Sequence, residues 1–370
     1  MITGWQNRHL LMKNQDSKKR LQSLDVLRGM TVAGMILVND GYGDTFAPLQ
    51  HVEWNGMTPC DLVFPFFLYI MGVSTYLSLR KYQFQFSAAA GRKILKRTLV
   101  IFLIGLALNW LSNGLGGDWG WSHLRIMGVM QRIALCYGIT SVVALLINHK
   151  YVLPLALGLL AVYTVILLLG NGYAPDASNL AARIDNALLG YDHLYHKSPV
   201  DPEGLLGTLS AVAHTMIGFW CGRAMMKSKT THEKVMRFLL AGALMVIVAY
   251  LMQYGLPLNK RIWSPSYVLM TCGLASLVQG LLMYSIDIQG HGRWATPFLI
   301  FGVNPLFLYV LSEVLAIVFW QYGVNDAIYN AIHSVVVNTY WASLCYALTY
   351  VLMCGLAGWW LWKKRIYIKI

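Results

Sequence analysis

The chain has 370 residues, of which 57% are hydrophobic and only 12% charged; its mean hydropathy is +0.51 and its formal net charge +13. A soluble domain carries about 25% charged residues, so half that density over the whole length excludes a soluble globular protein. Backbone groups in lipid find no water, and the apolar runs are continuous rather than alternating, so the expected class is an all-α, polytopic integral membrane protein.

Residues 1–22 are polar and basic and lack the apolar stretch of a cleavable signal peptide. They are expected as a cytoplasmic segment ahead of a single transmembrane domain, 23–370. Apolar runs of about 20 residues suffice to span a bilayer. Ten fall at roughly 24–40, 57–79, 94–112, 124–147, 151–170, 207–226, 236–255, 265–285, 297–319 and 341–362, the fourth and fifth divided only by Asn148, His149 and Lys150. With the N-terminus in the cytoplasm, 22 of the 29 Lys and Arg residues fall inside. Arg125, Arg183, Lys197, Lys260 and Arg261 stay outside. The positive-inside rule favours this orientation, which leaves both termini cytoplasmic. The basic surplus therefore reads as a topology signal and an anionic-lipid contact, and no nucleic-acid partner is expected. The six cysteines are scattered without metal spacing and read as small apolar fillers.

In chain order, the first chemical feature is Asp25-x-x-Arg28 at the inner end of the first run. Its i, i+3 spacing allows an ion pair that anchors the helix, or a phosphate contact for a cytosolic anion. Asn39 closes that run on the outer side, His51 lies in the loop that follows, and Asp61 opens the second run. An acidic side chain within a span is a functional candidate by default. A carboxylate can fix a histidine tautomer and leave the other ring nitrogen as a base, so these three form the candidate catalytic group. Pro65, four residues after Asp61, removes the hydrogen bond to the Asp61 carbonyl, and the helix is expected to open there. Trp119 and Trp121, in a glycine-rich outer loop, read as an interfacial belt, with a stacking platform for a sugar ring as the alternative.

Gln131-Arg132 falls inside the fourth span, where Arg132 needs a cavity or a partner; Glu313, Asp61 and a ligand all qualify. Residues 171–205 form one long outer loop, and loops of that length are usually functional or disordered. Its His193-x-x-His196 pair is too small a ligand set to carry a metal expectation, and none is made. The loop 257–267 is basic on the side where basic residues are scarce, so an outside anion, a polar substrate or the acidic outer loops require it there. Asn304-Pro305 sets an amide beside a helix break in the ninth span.

Arg20-x-x-Ser23-Leu24-Asp25-x-x-Arg28-Gly29, His51-x-x-Trp54-Asn55-Gly56, Asp61-Leu62-Val63-Phe64-Pro65, Gly128-Val129-x-Gln131-Arg132, Asp201-Pro202-Glu203-Gly204, Asn259-Lys260-x-x-Trp263-Ser264-x-Ser266-Tyr267 and Asn304-Pro305 occur together in this order. This set resembles the heparan-α-glucosaminide N-acetyltransferase family, in the form of its bacterial members. The resemblance implies a polytopic acetyltransferase, a homodimer, in a bacterial cytoplasmic membrane. It implies transfer of acetyl from cytosolic acetyl-CoA, a co-substrate, to the amine of a glucosamine-type sugar on the other side of the bilayer. His51 matches the family's catalytic histidine, and Asn39 and Asp61 match residues near it. On that basis Asp25, Arg28, Gln131, Arg132 and Asn304 are expected along the donor's path, and Trp54, Asn55, Glu203, Asn259, Lys260, Trp263 and Ser264 around the acceptor. The competing reading is a transporter of an amino sugar such as N-acetylglucosamine, in which the His and Asp relay protons.

Overall fold

A computed structural model describes residues 21–195 and 198–368. The basic segment before residue 21, together with His196, Lys197 and the last two residues, lies outside the described residues. Among the described residues there is no strand, and the α-helices are α1 (Gln22–Asn39), α2 (Val63–Leu79), α3 (Ala88–Leu115), α4 (Val129–Leu146), α5 (Val152–Leu169), α6 (Leu180–Leu189), α7 (Leu205–Lys227), α8 (Thr231–Met252), α9 (Pro265–Leu282), α10 (Thr296–Val303), α11 (Pro305–Gln321), α12 (Val324–His333) and α13 (Thr339–Lys363). The turn Asn148–Tyr151 divides α4 from α5 as expected.

Eight helical stretches of the described chain are long and apolar enough to cross a membrane, and nine if the pair around Asn304 counts as one span. Ten are reached only by adding α1, which does not meet that standard. The reason is visible in its side chains: Gln22, Ser23, Asp25, Arg28 and Thr31 lower its apolarity, and most of the helix is buried by protein rather than facing lipid. The ninth span is broken, with α10 and α11 meeting at 73° across Asn304.

The buried helices touch through glycines. At the α2–α7 crossing, a Cβ on Gly72 would overlap the Thr215 carbonyl, and one on Gly218 the Tyr69 carbonyl. At the α1–α10 crossing, Gly29 and Gly302 face the Phe298 and Asp25 carbonyls in the same way. Lipid offers no hydrophobic drive between helices, so close backbone packing of this kind must hold them. The main core lies between α1, α2, α4, α7 and α9, and a smaller one joins α1 to α11 and α13 through Val32, Ile36, Leu308, Tyr346 and Tyr350.

The connections sort to two ends. The loop after α1, the segment 170–204 and the turn before α9 meet one another: Trp54 Nε1 donates to the Tyr173 carbonyl (2.8 Å), and Gly56 N to Leu258 O (2.7 Å). The turns 80–87, 147–151 and 223–230 meet elsewhere, where Arg223 donates to the His149 carbonyl (2.6 Å) and the Phe84 and His149 rings lie 4.3 Å apart. These are the two groups that the basic residues separated in the sequence. The long segment is structured: it carries α6, which Asn179 caps from its side chain.

Candidate active site

The site is assembled by a capped turn. Thr58 and Asp61 form a capping box around the 3₁₀ turn Pro59–Leu62, so Asp61 Oδ2 accepts from Thr58 N (3.1 Å) and Thr58 Oγ1 (3.1 Å). Val52 N adds a longer contact of 3.4 Å. These bonds fix the carboxylate, which is 1% exposed, and leave Oδ1 for side chains. His51 Nδ1 lies 2.7 Å from Oδ1, and its side chain is 46% exposed. A ring that donates from Nδ1 to a carboxylate keeps a lone pair on Nε2, on the open side.

Pro65 acts differently from expectation. It lies in the first turn of α2, where a missing N–H disturbs nothing, so no interior kink forms. The carbonyl it frees at Asp61 is not left for a ligand. The buried Tyr267 hydroxyl donates to it at 2.6 Å, which ties α9 to the turn.

The basic loop 257–267 supplies the third side chain. Lys260 Nζ is 3.3 Å from Asp61 Oδ1 and 3.1 and 3.4 Å from the two ring nitrogens of His51. Its loop is held rigidly. Asn259 Nδ2 donates to Asn55 Oδ1 (3.1 Å) and Ser264 Oγ to Pro257 O (3.0 Å), while Ile262 N donates to Asn259 Oδ1 (3.1 Å). Trp263 takes a left-handed backbone (φ 52°) and is fully buried against Phe64, Tyr267 and His214. Ser264 caps α9 with Pro265 at its first position.

Asn55, Asn259, Trp263 and Ser264 thus build the loop that carries Lys260 to His51 and Asp61, whereas Trp54 is bound to the Tyr173 carbonyl. Trp263 and Ser264 are buried supports of that loop. Glu203 is bound instead to Arg125, which also holds Asp201, both at 2.8 Å. Burial opposes the Arg125 charge, but Glu203 and Asp201 more than offset it and raise the pKa. Arg132 is fully buried and spends its guanidinium on the carbonyls of Pro202 (2.6 Å) and Gly204 (2.9 Å), over the Trp263 ring. It fastens the long loop rather than pairing with Glu313 or Asp61. Gln131 is buried beside Gly105 and Gly128. In the same loop the Asp185 carboxyl is pushed up to about 6 by burial, although Leu205 N donates to it at 2.9 Å.

Among the described residues, no hydrogen bond ties Asn39 to the His51 turn. Its amide faces Glu313, at 3.5 Å. Arg28 pairs with Asp25 (2.9 Å) and donates to Ser74 Oγ (2.8 Å). Asn304 clasps the C-terminal segment, giving a hydrogen bond to Ile366 O and taking one from Ile368 N, both at 2.9 Å. Trp121 stacks on Trp110 at 6.2 Å, in line with an aromatic belt, and His193 is bound to the Leu124 carbonyl (2.7 Å).

Sequence reasoning missed Cys60, whose Sγ lies 3.1 Å from His51 Nδ1. The signal was available in Thr58-x-x-Asp61, a capping box that carries residue 60 to the same turn. His51, Cys60 and Asp61 bring ligand atoms within 4.8 Å of one another, close enough to share a metal ion. The Lys260 ammonium lies against the same atoms and opposes a divalent cation there.

Residues 20–182 match the family model described as heparan-alpha-glucosaminide N-acetyltransferase, catalytic. The chain is 30% identical to the heparan-alpha-glucosaminide N-acetyltransferase of Homo sapiens, over 95% of this chain and 60% of that protein. It is 27% identical to the Mus musculus protein of the same name, over 96% of this chain and 61% of the relative. The chain thus spans about three fifths of the length of the curated relatives it matches. The resemblance drawn from the sequence motifs holds across nearly the whole chain.

Proposed function

We propose, from the likeness to these N-acetyltransferases, that this chain is a membrane acetyltransferase using acetyl-CoA and a glucosamine-type amine. The observation that carries the reading is the 2.7 Å contact between a half-exposed His51 and an almost wholly buried Asp61. In the proposed reaction, Nε2 of His51 takes the proton of the attacking amine while Nδ1–H stays on Asp61. The amine nitrogen bonds to the thioester carbonyl, the C–S bond breaks, and the thiolate leaves as CoA. We assign the Asn39 amide to the oxyanion that develops on the thioester oxygen. Its 3.5 Å contact with Glu313 is at the limit of a hydrogen bond, so turning away from it forfeits little. A two-step route through acetyl-His51 uses the same groups.

The basic inner ends of the helices suit the phosphates of CoA, and the acceptor would approach from the outer loops, in a bacterial cytoplasmic membrane with both termini inside. The test is transfer of labelled acetyl from acetyl-CoA to a panel of amino sugars by the detergent-solubilised protein. His51→Ala abolishes transfer and leaves acetyl-CoA binding in place. Full activity in that variant overturns the assignment, and sugar uptake into vesicles without acetyl-CoA would favour a transporter. Label trapped on His51 without acceptor selects the two-step route.

A further inference from the structure

We propose that Lys260 is a positioning residue that keeps His51 unprotonated by supplying the counter-charge of Asp61. This rests on the reading of His51 as the base. The observations are geometric. Asp61 is nearly dry and its Oδ2 is taken by Thr58, so its charge must be balanced through Oδ1. Among the described residues, two groups reach Oδ1: the His51 ring at 2.7 Å and the Lys260 ammonium at 3.3 Å. If His51 alone faced the carboxylate, it would serve as the cation by taking a proton, and a protonated ring cannot accept one from an amine. With Lys260 in place the carboxylate is already paired. A second positive charge on the ring would lie 3.1–3.4 Å from the first. The titratable groups set against the ring are Asp61 and Cys60 from the turn beneath it and Lys260 from the loop above, with Tyr267 bonded behind Asp61. Of these, only Lys260 is a cation.

The loop is built for this task. Asn55–Asn259, Gly56–Leu258 and the buried Trp263 fix the residues on either side of Lys260, and its own side chain is 19% exposed. This also explains a basic residue on the side of the membrane where the chain otherwise avoids them.

The readout is the pH dependence of His51 reactivity toward diethyl pyrocarbonate, which modifies only the unprotonated ring, followed on the His51 peptide by mass spectrometry. Replacing the ammonium in Lys260→Met moves the midpoint up by about one pH unit, the size expected for loss of one adjacent like charge. Lys260→Arg leaves it near the wild-type value, and Asp61→Asn moves it down, because the cation then acts alone. The acidic limb of kcat/KM for acetyl transfer moves with the midpoint. Lys260→Gln repeats the test with a polar side chain if the methionine variant does not fold. An unmoved midpoint in the neutral variants overturns the inference, as does a loss of transfer by the same factor at every pH, which would mark Lys260 as an acceptor contact. A midpoint that moves while transfer stays flat with pH upholds the Lys260 arrangement and instead removes His51 as the base.

Discussion

The two ends of the bundle, which we propose face the cytoplasm (inner) and the outside (outer), hold similar polar residues and use them in opposite ways. At the inner end, Arg28 is closed onto Asp25 and Ser74. Asn304 spends both its donor and its acceptor on the C-terminal segment. At the outer end, Asp61 is just as well bound, but it serves a His51 ring that remains half open. Buried polar groups in a membrane bundle must be satisfied wherever they occur, so burial alone does not mark a site. A site is marked by a fixed group that orients an exposed one. By that criterion we propose the outer turn as the chemical one and read the inner clusters as fastenings.

The comparison can be tested by substitution. The largest effect after His51→Ala falls on Asp61→Asn, which preserves shape but loses the charge that orients the ring. We expect kcat to drop by about 10²- to 10⁴-fold with little change in acetyl-CoA affinity. A loss below about threefold would make the outer turn a fastening as well.

At the inner end, Arg28→Ala removes one of the groups bound to the buried Asp25. The expected result is a stability loss of about 2 kcal/mol, read as a lower thermal midpoint, with the KM for acetyl-CoA within about threefold of wild type. A KM raised tenfold or more at normal stability would instead place Arg28 on the donor and break the contrast between the two ends.

The smallest effect concerns Asp185 in the outer loop. Burial pushes its pKa up to about 6 in the folded state, above the ordinary carboxylate value of 3.8, so its protonated form favours folding. That contribution is fully present below about pH 4 and is lost as the pH rises through 6. Asp185→Asn should therefore raise the thermal midpoint above pH 6 and flatten its pH dependence between 4 and 6. An unchanged slope there would mean that burial of this carboxyl does not strain the loop.

Much of this was legible in the chain. The helical class, the division at Asn148, the break at Asn304 and the sorting of loops to two ends follow from apolar run length and charge placement, because lipid permits few alternatives. His51 and Asp61 were legible as a pair, because only ten residues separate them and a membrane chain seldom keeps an acidic group without use. Residues set by contacts between distant segments were not. The sequence offered Lys260 as an anomaly in charge, but its position on His51 depends on the chain folding back across a separation of 209 residues. Pro65 announced a free carbonyl, and only packing of α9 decided that Tyr267 would take it. Asn39 closed the first run, and only the packing of α11 decided that Glu313 would face its amide. The sequence by itself determined which segments form long apolar helices and which polar groups are costly to bury among them. The tertiary structure decided what satisfies each of them, since a hydrogen-bond partner is specified by geometry to a few tenths of an ångström and no local pattern carries that information.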